Sequence, residues 1–124
     1  MKLIISLLMI ALLIGCGGNY DIFAQCLTDN GVIMYGTDWC THCQNQKLLF
    51  GTSFNNIAYV NCDNSPQACT NAGVTGYPTW YVNGEIYSGV QSLETLSQFS
   101  GCNLEWFLFV KNVVLSIKKN ILCS

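Results

Sequence analysis

Two cysteines separated by two residues, in Trp39-Cys40-Thr41-His42-Cys43, can close a small, strained disulfide ring. Such a ring passes to another protein by thiolate attack when its first sulfur ionises at working pH. An apolar run, Val32-Ile33-Met34-Tyr35-Gly36, precedes it, and a helix-forming stretch, Gln44 to Phe50, follows. Cys40 is therefore expected where a strand hands over to a helix N-terminus. The free N–H groups and the dipole of that terminus stabilise a thiolate. Zinc sites use the same spacing but need two paired half-sites. Only one Cys-x-x-Cys exists, with His42 inside it rather than at ligand spacing, so no metal and no other cofactor is expected.

The elements that must position this pair can be read along the chain. Ile22 to Thr28 suits a short helix, ended by the turn cluster Asp29-Asn30-Gly31. Val32 to Gly36 reads as a central strand and Thr41 to Phe50 as the helix carrying the cysteines, stopped by Gly51. Ile57 to Cys62 reads as the second strand. Ser65-Pro66 opens another helix, with a cap and a proline at its first position, and Gly73 closes it. Thr79 to Val82 and Ile86 to Ser88 flank Asn83-Gly84, a strong two-residue hairpin signal. Ser92 then caps a last helix, Leu93 to Phe99.

Trp-Cys-x-x-Cys resembles the active-site motif of the thioredoxin superfamily, and Tyr77-Pro78-Thr79 resembles its cis-proline loop. Val60 to Thr79 also follows the thioredoxin order of strand, Asn/Asp turn, short helix, Gly, cis-Pro and strand. One subgroup is similar in more detail, through Tyr35-Gly36, His42-Cys43-Gln44, Lys47, Phe50-Gly51, Trp80, Ser88-Gly89-Val90 and Ser92-Leu93-Glu94. It is the thioredoxin-like domain fused to, or encoded beside, vitamin K epoxide reductase-like membrane proteins. The likeness runs from Phe23 to Cys102, with no membrane bundle following, so the free-standing version is expected. It implies an α/β thioredoxin fold with a shortened N-terminus: a central mixed sheet flanked by helices.

Each site residue has a role under that reading. Cys40 is the attacking thiol and Cys43, one turn into the helix, the resolving thiol. His42 places an imidazole beside Cys40, where its positive form favours the thiolate; the bland alternative is a solvated surface histidine. The resemblance makes a histidine here typical of oxidising or isomerising members. Trp39 shields the disulfide and offers an aromatic docking surface, or is purely structural. Pro78 would be cis and present the backbone of Tyr77 to a partner strand. Two features depart from the family pattern. The resemblance implies a buried acid six residues before the first cysteine and an accompanying lysine, both assisting proton transfer. Met34 stands at the acid's position and Tyr59 near the lysine's, and Thr41 stands where the subgroup has proline.

Composition fits a small exported redox domain. Between Asn19 and Cys102 only Lys47 is basic, against six carboxylates, and the chain has no Arg, which excludes nucleic-acid binding. Eight cysteines in a chain of 124 residues point to an oxidising, extracytoplasmic compartment. Lys2 precedes the apolar run Leu3 to Ile14, too short to span a bilayer but right for a signal peptide over residues 1–15. Leu13-Ile14-Gly15-Cys16 resembles a bacterial lipobox, so Cys16 is expected to carry lipid and residues 16–21 to form a tether; the alternative is an ordinary signal peptide or uncleaved anchor.

The remaining cysteines read as structural. Cys62 and Cys69 span a Pro-containing turn, and a disulfide there contributes roughly 2–3 kcal/mol in the chain-entropy model. Cys26 can pair with Cys102, each beside a helix end at opposite limits of a domain over 22–102. That leaves Cys123 unpaired. Residues 103–124 plot as an amphipathic helix, with Trp106, Val110, Val113, Val114, Ile117 and Ile121 on one face. It either packs on the domain or lies in a membrane interface, with Lys111, Lys118 and Lys119 near headgroups.

The favoured function is an envelope thiol-disulfide oxidoreductase. It would exchange the Cys40–Cys43 disulfide with cysteine-containing secreted proteins and with a vitamin K epoxide reductase-like, or other thiol redox, membrane partner. The alternatives are a reductase or isomerase fed by a membrane thiol donor, and a non-catalytic lipoprotein that only binds partners.

Overall fold

The computed structural model describes residues 20–104 together with Val113 and Ser116. The signal peptide, Cys16, most of the tether, Cys123 and nearly all of the 103–124 helix lie outside the described residues. Of that helix, Leu104 is helical and buried, while Val113 and Ser116 are helical and exposed. No helix among the described residues is long and apolar enough to cross a membrane.

Helix α1 (Asp21–Asp29) forms because Phe23, Ala24 and Leu27 make one apolar stripe, all three buried. It starts at Asp21, so the expected tether is one residue shorter at its folded end. Gly31, at φ +75°, turns the chain into β1 (Ile33–Gly36). Helix α2 (Thr41–Phe50) follows, then a 3-10 helix over Gly51–Asn56. Strand β2 is Ala58–Asn61, helix α3 Pro66–Asn71, strand β3 Thr79–Val82, strand β4 Glu85–Ser88 and helix α4 Leu93–Ser100. Pro66 opens α3 as expected, but the Ser65 side chain makes no capping bond. Ser92 does cap α4, its hydroxyl accepting from the Thr95 N–H at 3.1 Å.

The sheet order is β2-β1-β3-β4. Strand β1 runs parallel to β2, joined through α2, and antiparallel to β3. The β3–β4 hairpin turns on Asn83 and Gly84, both at positive φ, as a two-residue turn of that type demands. Strand alternation sorts the side chains into two cores. Val32, Met34, Trp80 and Val82 join Phe23 and Leu27 of α1, Phe50 of α2 and Leu93 and Leu96 of α4. Tyr35 takes the opposite face, with Cys62 and with Cys69 of α3.

Two disulfides tie these layers together, Cys26–Cys102 and Cys62–Cys69. Both are the pairings expected from sequence. The first joins α1 to the segment after α4, and Asn30 beside it donates its side-chain N–H to the Ser100 carbonyl at 3.2 Å. The second lashes the end of β2 to α3.

Candidate active site

Strand β1 stops at Gly36, and Thr37-Asp38-Trp39 carries the chain over the sheet edge to Cys40. Cys40 has extended backbone angles and is the N-cap of α2. Its sulfur takes the place of the usual capping oxygen, accepting the Cys43 N–H at 3.1 Å. A donor held there stabilises negative charge on that sulfur, and the α2 dipole adds to it. Cys40 and Cys43 are both thiols in this structure. Cys40 is 7 % exposed and Cys43 is sealed at 0 %, so an incoming sulfur atom reaches Cys40.

The surroundings of Cys43 disfavour its charged form. Burial pushes its pKa up from 9.0 to about 11, and the hydrogen bond to Cys40 adds to the rise. The Thr37 backbone and the Lys47 ammonium pull in the other direction. Gly36 is obligatory here: a Cβ would meet the Cys43 sulfur at 2.8 Å and the Tyr59 ring at 3.3 Å.

Met34 and Tyr59, which depart from the expected acid and lysine, are directly paired across β1 and β2. Met34 is fully buried. Tyr59 has its pKa pushed up to about 12, first by burial and then by the negative charges of Asp38, Cys43, Cys40 and Asp63. Lys47 completes the group. Its ammonium lies 4.2 Å from the centre of the Tyr59 ring and 3.5 Å from a carboxylate oxygen of Asp38. Asn61 holds the other Asp38 oxygen at 2.8 Å. In the sequence, Lys47 stands out only as part of the resembling motif. Its spacing of four from Cys43 was the available signal, since that places both on one helix face.

Trp39 is 71 % exposed and stands edge-on to Tyr77, with ring centroids 6.1 Å apart. The Tyr77–Pro78 peptide is cis, and Pro78 is buried, its carbonyl accepting from the Gly89 N–H at 2.8 Å. Trp39 and Tyr77 thus form an aromatic rim beside Cys40. His42 is exposed on the first turn of α2 and makes no hydrogen bond or ion pair among the described residues. It can act on Cys40 only through space. No cluster of metal-ligating side chains occurs among the described residues.

One buried residue escaped the sequence reading altogether. Gln46 on α2 is fully buried, accepts from the Trp80 indole and the Gln91 N–H, and donates to the Gln91 carbonyl. It locks the cysteine-bearing helix to β3 and to the loop before α4.

The thioredoxin family profile matches residues 18–100, spanning this whole arrangement. The chain belongs to the thioredoxin family. It is 34 % identical over 91 residues to the thiol-disulfide oxidoreductase LTO1 of Arabidopsis thaliana, covering 66 % of this chain and 24 % of that protein. It is 32 % identical over 108 residues to protein disulfide isomerase-like 2-2 of Oryza sativa subsp. japonica, covering 70 % of this chain and 29 % of the relative. The chain thus spans about a quarter of the length of the curated relatives it matches. The crystal structure of Fasciola hepatica thioredoxin is similar with a TM-score of 0.43 and 18 % identity, over 62 % of this chain and 88 % of that one.

Proposed function

We propose that this chain is a thiol-disulfide oxidoreductase of the cell envelope, with Cys40 as the exchanging sulfur and Cys43 as its partner. One observation carries the reading: the Cys40 sulfur caps α2, reachable beside the Trp39–Tyr77 rim, while Cys43 lies sealed beneath it. In the oxidising direction, a client thiolate attacks Cys40 of the Cys40–Cys43 disulfide. The bond between the two cysteines breaks, and its electron pair leaves on Cys43. A second client thiolate then attacks the client sulfur joined to Cys40, closing the client disulfide and releasing Cys40 as thiolate. The client loses two electrons and two protons; the protein gains both electrons as a dithiol. A vitamin K epoxide reductase-like membrane partner would take those electrons and restore the disulfide.

Two oxidised cysteine pairs elsewhere in the domain support an oxidising compartment. A lipid on Cys16 would hold the domain close to the membrane partner and raise its effective concentration there. The test is the reduction potential of the Cys40–Cys43 couple. It should lie above the roughly −270 mV of thioredoxin and towards the about −120 mV of strong periplasmic oxidants. A value at or below that of thioredoxin would overturn the oxidising direction. Relatives named protein disulfide isomerase favour a second reading, isomerisation of misplaced disulfides. Reactivation of scrambled ribonuclease without added oxidant separates it from the first.

A further inference from the structure

Beneath the exchanging pair lies a hydroxyl group that the chemistry above does not use. The Tyr59 phenol oxygen is buried and has no hydrogen-bond partner among the described residues. A buried donor left unpaired loses its water and gains nothing in return, so such groups in native proteins call for an explanation. Phenylalanine would fill the same space without that cost.

The explanation lies in what faces the hydroxyl. The point where a Gly36 Cβ would sit is 3.5 Å from the Tyr59 oxygen and 2.8 Å from the Cys43 sulfur. Glycine leaves open the gap between the two. Lys47, one turn beyond Cys43 on α2, sets its ammonium against the face of the same ring. Lys47 is also the only cation between Asn19 and Cys102.

We propose that the Tyr59 hydroxyl donates a hydrogen bond to the Cys43 sulfur when that sulfur becomes a thiolate, with Lys47 as the positioning cation. This rests on the oxidoreductase reading above, because the charge exists only during exchange. When a thiolate attacks Cys40, the disulfide breaks and both bonding electrons leave on Cys43. The Tyr59 O–H points its hydrogen at that new charge and keeps its proton. Cys43 later takes a proton from water, and the hydroxyl is again unpaired. The raised pKa of Tyr59 suits a donor that does not ionise. The charged and titratable groups facing the site are Cys40 and Lys47 on α2, Asp38 before it and Asp63 after β2.

The experiment compares the oxidised protein with its Tyr59→Phe, Lys47→Gln and Lys47→Arg variants, using glutathione as the attacking thiol. Cleavage of Cys40–Cys43 is followed by Trp39 fluorescence, and the Cys43 titration by its Cβ carbon resonance in the reduced protein. Tyr59→Phe should slow cleavage about tenfold and move the Cys43 titration up by about one pH unit. Lys47→Gln should move it in the same direction, and Lys47→Arg should restore it. A purely structural hydroxyl would alter only the unfolding midpoint, leaving rate and titration unchanged, and that result overturns the proposal. Failure of the wild-type protein itself to exchange with glutathione would overturn the oxidoreductase reading instead.

Discussion

The Trp80 indole N–H donates to the side-chain oxygen of Gln46 at 3.1 Å, with both residues fully buried. The same oxygen accepts the Gln91 N–H at 2.7 Å. Replacing Gln46 by Leu would leave the buried Trp80 indole N–H and the half-buried Gln91 N–H unpaired. The expected loss is about 2–4 kcal/mol of stability, read from the urea midpoint. A change within about 0.5 kcal/mol would mean that water reaches these groups.

Gly36 tolerates no side chain. Gly36→Ala should destabilise the protein by about 1–3 kcal/mol, because the methyl group would press on the Cys43 sulfur and the Tyr59 ring. The loss should be smaller in a Cys43→Ala background, where the sulfur that the methyl group would meet is gone. Thermal unfolding in both backgrounds measures this.

Cys43→Ser should accumulate mixed disulfides, visible as reducible high-mass bands, when its Cys40 thiolate attacks client disulfides, because the Cys43 thiol that would displace the client from Cys40 is gone. Cys40→Ser should accumulate none, as Cys43 is sealed from solvent. Equal trapping by both variants would overturn the assignment.

With only Cys40–Cys43 reduced, the protein should lose stability as pH rises. The Cys43 thiol titrates near 9.0 when unfolded and near 11 when folded. Between those values the unfolded state has released a proton that the folded state still holds. Stability is therefore complete below about pH 9 and falls through pH 11. Urea midpoints should drop across that window, and less steeply in Cys43→Ala.

Removing the long-range cross-link with Cys26→Ala and Cys102→Ala together should cost about 4.5 kcal/mol, since the bond closes a loop of sequence separation 76. Losing Cys62–Cys69, at separation 7, should cost about 2–3 kcal/mol. Denaturant titration of the two double variants gives the order, and a reversed order would count against the chain-entropy account.

Where the chemistry depends on neighbours in sequence, it was legible. Cys40 and Cys43 share one helix turn, and Asn83-Gly84 makes its own hairpin. The fold followed, because those local signals occur in one order. Gln46 was invisible for the opposite reason. It sits in the polar run Gln44-Asn45-Gln46-Lys47, which reads as a wet helix face, and its partners lie 34 and 45 residues away. Ser65 looked like a cap, but capping depends on a side-chain rotamer that sequence does not specify. The Tyr59–Lys47–Asp38 group needed three elements to meet and became visible only in the folded molecule.

The Cys26–Cys102 bond also decides how the domain bears load. Cys26 lies in α1 and Cys102 just after α4, so the sheet and the exchanging pair all fall inside a covalent ring. A pull applied between the two flanking segments travels through those two sulfurs and bypasses the sheet. While that bond is intact, tension between the two ends of the chain cannot draw β1 and α2 apart.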